Sequence, residues 1–206
     1  MNSKYYIKSF CYIKNNEITL NQSVIYKSEK TLGFLEFIKE AYRSMDIKYP
    51  KFFKMDGLSK LAFLASEVLL SKEKLNLEEE NDIAIVFSNK SSSLDTDKKH
   101  QESIQDKDNY YPSPAVFVYT LPNICIGEIS IKHKLYSENS FFIFDNFNAE
   151  YLLEYTNSLL SANKANEVLC GWVEYNGEEY EAFLYLVSKE GTIAHTKKNI
   201  VKLYNT

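Results

Sequence analysis

The pattern of apolar and polar residues is clearest between residues 137 and 175, where it predicts a strand, a turn, a helix and a second strand. Residues 139–144 form an apolar run, which is typical of a strand buried on both faces. Asp145 and Asn146 interrupt that run. Residues on one helical face then recur with a 3.6-residue period: Ala149, Leu152, Leu153, Thr156 and Leu160. A second apolar run starts at Val168, so the segment predicts a βαβ unit with its turn at the carboxyl end of the sheet.

Other segments show the same two patterns, a helical period of 3.6 residues and a short apolar run. Residues 55–70, MDGLSKLAFLASEVLL, predict a helix because their apolar positions follow the 3.6-residue period. Residues 82–88, DIAIVFS, predict a short buried strand. The helix of the βαβ unit is predicted over residues 149–162. Residues 89–108 are the most polar segment of the chain, which predicts a loop with a short helix.

The C-terminal part of the chain predicts a hairpin. Residues 172–175 and 180–187 read as two strands joined by a turn at Asn176-Gly177. The tail, residues 192–204, is predicted to contribute little. Alternating strands and helices predict an α/β fold with a mostly parallel sheet, helices on both faces, and an antiparallel hairpin near the C-terminal side.

Composition narrows the class of protein. A chain of 206 residues with 45% hydrophobic residues predicts one domain spanning 1–206. The net charge of −4 and a single arginine, Arg43, argue against a nucleic-acid partner. No apolar run approaches the ~18 residues that cross a bilayer, and the N-terminus lacks a signal peptide. Three scattered cysteines predict reduced thiols in the cytoplasm.

Few side chains suggest chemistry. Cys125 and Cys170 are predicted to be core residues, and the cysteines and histidines lack metal-ligand spacing, so we expect neither a metal nor a cofactor. His100 and His133 lie in polar segments and are predicted to be solvated. His195 lies in the tail, outside any motif. The turn at Asp145-Asn146 is either a remodelled active site or the cap of the following helix.

Four segments, taken in order, resemble landmarks of one family: MDGLSKLAFLASEVLL, DIAIVFSNKSSSLDTDKKHQESI, LPNICIGEIS, and ENSFFI with the helix that leads to LCGWVEY. Over residues 55–171 the sequence resembles the N-terminal half of a β-ketoacyl synthase, which has the thiolase-like fold. Within that family it is most similar to short ketosynthase-like proteins that accompany aryl polyene or flexirubin-type pigment clusters. The resemblance implies one half of the thiolase-like double fold.

The resemblance also implies where the nucleophile would lie. Ketosynthases carry a cysteine at the turn after the strand, and this sequence has Asn146 there, flanked by Asp145 and Phe147. An amide cannot form a thiolate, so it cannot carry an acyl group as a thioester. The family's two catalytic histidines and its lysine belong to a C-terminal half, for which we expect no room in this chain. We therefore expect no catalytic residue.

In the family, the strand before the nucleophile pairs with its counterpart across a dimer. The resemblance therefore implies an interface strand: Asn139, Ser140, Phe141, Phe142, Ile143 and Phe144. These points predict a non-catalytic ketosynthase-like subunit that pairs with a full-length ketosynthase or with itself. Two alternatives stay open, an acyl carrier protein (ACP) binding module or homodimeric scaffold, and an enzyme with altered chemistry. The latter would decarboxylate or hydrolyse acyl-ACP using Asp145 and Asn146.

Overall fold

The computed structural model describes residues 4–108 and 110–206. Within these residues, eight strands form a single mixed sheet. Its strands are β1 (Tyr6–Lys14), β2 (Glu17–Leu20), β3 (Ser23–Lys27), β4 (Ile83–Asn89), β5 (Asn139–Ile143), β6 (Glu167–Asn176), β7 (Glu179–Ser188) and β8 (Ile193–Ala194). They lie in the order β3-β2-β1-β7-β6-β4-β5, with β8 paired to β1. The two ends of the sheet are therefore β3 and β5.

Helices cover both faces of the sheet, as the sequence predicted. They are α1 (Phe34–Ser44), α2 (Gly57–Leu70), α3 (Leu94–Ile104), α4 (Pro114–Val118), α5 (Ile124–His133), α6 (Ala149–Ser161) and α7 (Lys197–Tyr204), with a 3-10 turn at Pro50–Lys54. One core lies between the sheet and α1, α2 and α5. A second core lies between the other face and α6 and α7. The predicted helices at 55–70 and 149–162 correspond to α2 and α6, and both are confirmed.

The expectation of a mostly parallel sheet is wrong. β4 runs parallel to β5 and β6, whereas the pairs along β6-β7-β1-β2-β3 are all antiparallel. Short connections explain three of these four antiparallel pairs, all except the long-range pair of β1 and β7. A two-residue turn joins β6 to β7, and short turns join β1 to β2 and β2 to β3, and connections this short bring strands together antiparallel. Only the βαβ part of the chain is parallel.

The expectation that residues 139–144 form a strand buried on both faces is also wrong. β5 has one neighbour, β4, and lies at the edge of the sheet with partly exposed side chains. Phe141 packs on the first core and Phe142 on the second, which explains why both positions are apolar. Phe144 lies one residue beyond the strand. The apolar residues therefore reflect partial burial of each face of the strand, while its hydrogen-bonding edge stays open.

Two polar residues are more buried than the sequence suggested. His133 was predicted to be solvated, but it is buried and its Nε2 lies 2.5 Å from Glu67 Oε1, inside the first core. His195, in the tail, is buried beside α6, where its Nδ1 lies 3.0 Å from the amide oxygen of Asn157. The tail also forms α7, which buries Ile200 and Leu203 against the second core. It therefore contributes more to the fold than the sequence predicted.

Candidate functional site at the turn after β5

The turn between β5 and α6 lies at the carboxyl ends of three strands. β4, β5 and β6 run parallel and end together at this edge of the sheet. Helix α6 begins directly after the turn, and its N-cap is Asn148, whose side chain accepts a hydrogen bond of 3.0 Å from the Tyr151 N–H. Asp145 and Asn146 therefore do not cap the helix. That alternative is wrong, because the cap lies two residues further along.

Asn146 and Asp145 are exposed on the wall of an open groove of about 610 Å³. The described residues that line this groove include neither a histidine nor a cysteine. Activation of a weak nucleophile requires a base or a metal within hydrogen-bonding reach. Within residues 4–108 and 110–206, moreover, no three histidine, cysteine, aspartate or glutamate residues are grouped so that they could hold a metal ion. The side chains at this turn therefore form no recognisable nucleophile–base pair.

Phe147 turns inward where Asn146 turns outward. Its ring stacks on Tyr204 of α7 with the ring centroids 4.3 Å apart. It also meets Phe183 and Trp172 edge-on, at centroid distances of 5.6 and 6.3 Å. Aromatic pairs at these distances and angles are favourable contacts. Phe147 thus ties the turn to the C-terminal helix and closes the inner end of the groove with its ring.

The groove is acidic. Four carboxylates line it, with Lys90 as the one cation among its described lining residues: Asp145, Glu174, Glu179 and Glu181. Glu174 accepts hydrogen bonds from the backbone N–H groups of Lys90 and Ser91, at 2.7 and 3.2 Å. Glu181 accepts from the Tyr204 hydroxyl at 3.0 Å, and burial together with this carboxylate raises the pKa of Tyr204 well above its usual range. The groove therefore disfavours anionic ligands.

The cysteines offer no substitute nucleophile. All three are buried, as predicted for Cys125 and Cys170. Burial raises the pKa of Cys170 to about 11, although hydrogen bonds with Thr156 and Tyr185 partly oppose that rise. Burial also raises the pKa of Cys125 well above its usual range. Because the thiolate is the reactive form, both thiols are unreactive near neutral pH.

No protein-family model matches the sequence, and no curated protein matches it. Solved structures do match. The ishigamide ketosynthase/chain length factor is 15% identical with a TM-score of 0.61, over 90% of this chain and 62% of that one. A structure of a ketosynthase with its chain length factor from Xenorhabdus doucetiae gives 13% identity and a TM-score of 0.61, over 98% and 90%. A type II polyketide ketosynthase in complex with its acyl carrier protein gives 13% and 0.59, over 91% and 63%.

The chain has the ketosynthase fold. The fold implied by the sequence resemblance is therefore confirmed. The chain spans less than two thirds of the first and third of these structures, but 90% of the second. No helix within residues 4–108 and 110–206 has the length and apolar character needed to cross a membrane.

The sequence identified Asp145, Asn146 and Phe147 at this turn but not the other residues that line the groove. Glu174, Asn176, Glu179 and Glu181 alternate with apolar residues along β6 and β7, and that period-2 pattern could have placed them on one face. Tyr204 had no such signal. It lies 57 positions after Phe147 and reaches the groove only because α7 folds back onto the second core.

Replacing the ring of Phe147, which faces inward from the turn, should destabilise the fold. We expect Phe147→Ala to lower the free energy of unfolding by about 2 kcal/mol, less than for a fully buried phenylalanine because Phe147 is half-buried. Urea unfolding measures this change. The matched control is Phe117→Ala, since Phe117 is 60% exposed, and we expect a loss below about 0.5 kcal/mol. Equal losses for the two variants would contradict the packing role of Phe147.

Proposed function

We propose that the chain is a non-catalytic subunit of a fatty-acid- or polyketide-type assembly system, of the kind that makes aryl polyene or flexirubin-type pigments. It pairs with a full-length ketosynthase, in the manner of a chain length factor. The observation that carries the proposal is a ketosynthase fold with Asn146 at the turn after β5, in a groove without cysteine or histidine among its described lining residues. A fold retained without its nucleophile indicates a role in assembly.

The proposed contact with the partner is the open edge of β5. An exposed edge presents unpaired backbone N–H and C=O groups that another strand can pair with. Two of the similar structures are of a ketosynthase with a chain length factor, which supports a partner of that kind. The alternative partner is a second copy of this chain, and light scattering of the chain alone and mixed with a ketosynthase distinguishes the two partners.

The groove gives less support to the other two functions. The phosphopantetheine arm of an acyl carrier protein carries a phosphodiester, and the four carboxylates of the groove repel it. A carrier protein is therefore better placed on the ketosynthase partner than in this groove. A decarboxylase or hydrolase would need a base near Asn146. The acid beside it, Asp145, is exposed, and no hydrogen bond or ion pair among the described residues holds its side chain in place.

The proposal predicts that the chain forms no acyl-enzyme. After incubation with acyl-ACP or acyl-CoA, intact-protein mass spectrometry should show the unmodified mass. Asn146→Cys should react readily with iodoacetamide, because the position is exposed, yet it should support no condensation. The wild-type chain is the control for that labelling, since its three thiols are buried. A stable acyl adduct on Cys125 or Cys170 would show that the proposed nucleophile position is wrong.

A further inference from the structure

Helix α5 is apolar on its inner and its outer side. Cys125, Ile126 and Ile129 face the first core and are buried. On the outer side, Ile131 is 64% exposed, and Leu121, just before the helix, is 58% exposed. Surface helices of globular proteins normally carry charged residues on the side away from the core, and a helix that is apolar all round is normally buried. The outer side of α5 is therefore built to be covered.

The two ends of α5 lie near the two ends of β5. Ser93 follows β4 in the chain, and its hydroxyl donates to the backbone carbonyl of Thr120, just before α5. This contact places the start of α5 near the carboxyl end of β5. At the other end, Leu135 forms a bridge with Asn81, just before β4, so α5 ends near the start of β5. The helix thus runs antiparallel to β5, and a subunit that pairs with β5 also reaches α5.

We infer that the outer side of α5 is the second layer of the ketosynthase interface, and that it packs against an apolar helix of the ketosynthase that pairs with β5. This inference rests on the proposed function and adds to it the residues that the partner covers. The partner's face must be apolar and uncharged, because the outer side of α5 offers Gly127, Ser130 and Ile131 without a charge among them.

Gly127 marks the point of closest approach. A Cβ added at this position would meet no atom within 4 Å, so the outer side of the helix is open there. Ile131 lies four residues after it on the same face and is 64% exposed, whereas Ile124, three residues before it, is half-buried and packs against the first core. An exposed isoleucine therefore adjoins a notch that lacks a side chain, and such a notch lets a partner helix approach closely.

The test measures the dissociation constant (Kd) between the labelled chain and a full-length ketosynthase from the same organism. Ile131→Glu places an unpaired charge in the contact, and Gly127→Leu fills the notch. Both should raise Kd at least tenfold. Both variants should still fold, since each position faces open space, and Gly127→Leu should even raise the urea midpoint because glycine is a poor helix former. The control is Val24→Glu on β3, at the far edge of the sheet, where Val24 is 55% exposed; its Kd should stay within twofold.

The outcomes separate the inference from the proposed function. If the wild-type chain binds the ketosynthase and the two α5 variants bind within threefold of it, the α5 inference is wrong while the proposed pairing stands. If the wild-type chain ignores the ketosynthase, the proposed function is wrong and the α5 inference fails with it. A third outcome is that the chain self-associates and that Ile131→Glu and Gly127→Leu abolish only this self-association. In that case a second copy of the chain, and not a ketosynthase, covers α5.

Discussion

Gly171→Ala is expected to leave little folded protein. Gly171 lies in β6, between β7 and β4 in the middle of the sheet, with a φ of +152°. A Cβ at this position would lie 2.0 Å from the Phe183 carbonyl oxygen on the neighbouring strand, and a backbone atom cannot rotate away as a side chain can. Strain of this kind together with overpacking costs roughly 2 to 6 kcal/mol. Because domains are stable by only about 5–15 kcal/mol, that loss removes much or all of the margin.

The measurement is the soluble yield and the urea midpoint of the purified variant. The matched control is Gly177→Ala in the turn between β6 and β7. Gly177 also has a positive φ, +69°, but an added Cβ would meet nothing within 4 Å. It therefore carries the backbone strain without the collision, and we expect a loss of about 1–2 kcal/mol. If the two variants were equally stable, the close approach of β6 and β7 at Phe183 would not matter.

The sequence predicted those elements whose period is unambiguous. α2 follows a helical period along its whole length, and the hairpin at β6 and β7 contains a glycine turn, so both were found. The turn itself is shifted by one residue, since Asn176 pairs with Glu179 and the turn residues are Gly177 and Glu178. Local patterns identify the elements well because they depend on contacts within a few residues.

Strand order and edges could not be predicted in the same way. The antiparallel half of the sheet depends on β1 pairing with β7, whose residues lie more than 160 positions away. For β5, apolar residues on both faces indicated burial. An apolar pattern shows which faces of a strand are covered, but it does not show whether a neighbouring strand pairs with each edge. The groove was missed for the same reason, because α7 brings Tyr204 to Phe147 only through tertiary packing.

The open edge of β5 leads to the second large expected effect: Ile143→Pro should weaken pairing at least about tenfold without disturbing the fold. The Phe144 N–H donates to Asn89, and the Glu138 carbonyl accepts from Ile85, so even-numbered residues of β5 hydrogen-bond with β4. Backbone groups alternate in direction along a strand, so those of residues 139, 141 and 143 point outward. Proline at Ile143 removes one outward N–H and places its ring where a partner strand would lie.

Ile143 is the best position for this test because its side chain is 50% exposed. Phe142 is less suitable, since its ring packs edge-on against Tyr151 and Tyr155 of α6, and its replacement would damage the second core as well as the edge. The control is Ile143→Ala, which shortens the same side chain but keeps the N–H. We expect the alanine variant to pair like the wild-type chain and the proline variant to lose at least about tenfold in affinity, that is 1.4 kcal/mol or more.

Light scattering after size exclusion measures the pairing, for the chain alone and mixed with a full-length ketosynthase from the same organism. If the alanine variant forms the complex and the proline variant does not, the partner's backbone pairs with β5, since the two substitutions differ in the N–H and the ring. A proline variant that pairs as tightly as the wild-type chain would mean that no strand adds to this edge. The partner would then have to dock on side chains alone, and the ketosynthase-type pairing proposed for this chain would be wrong.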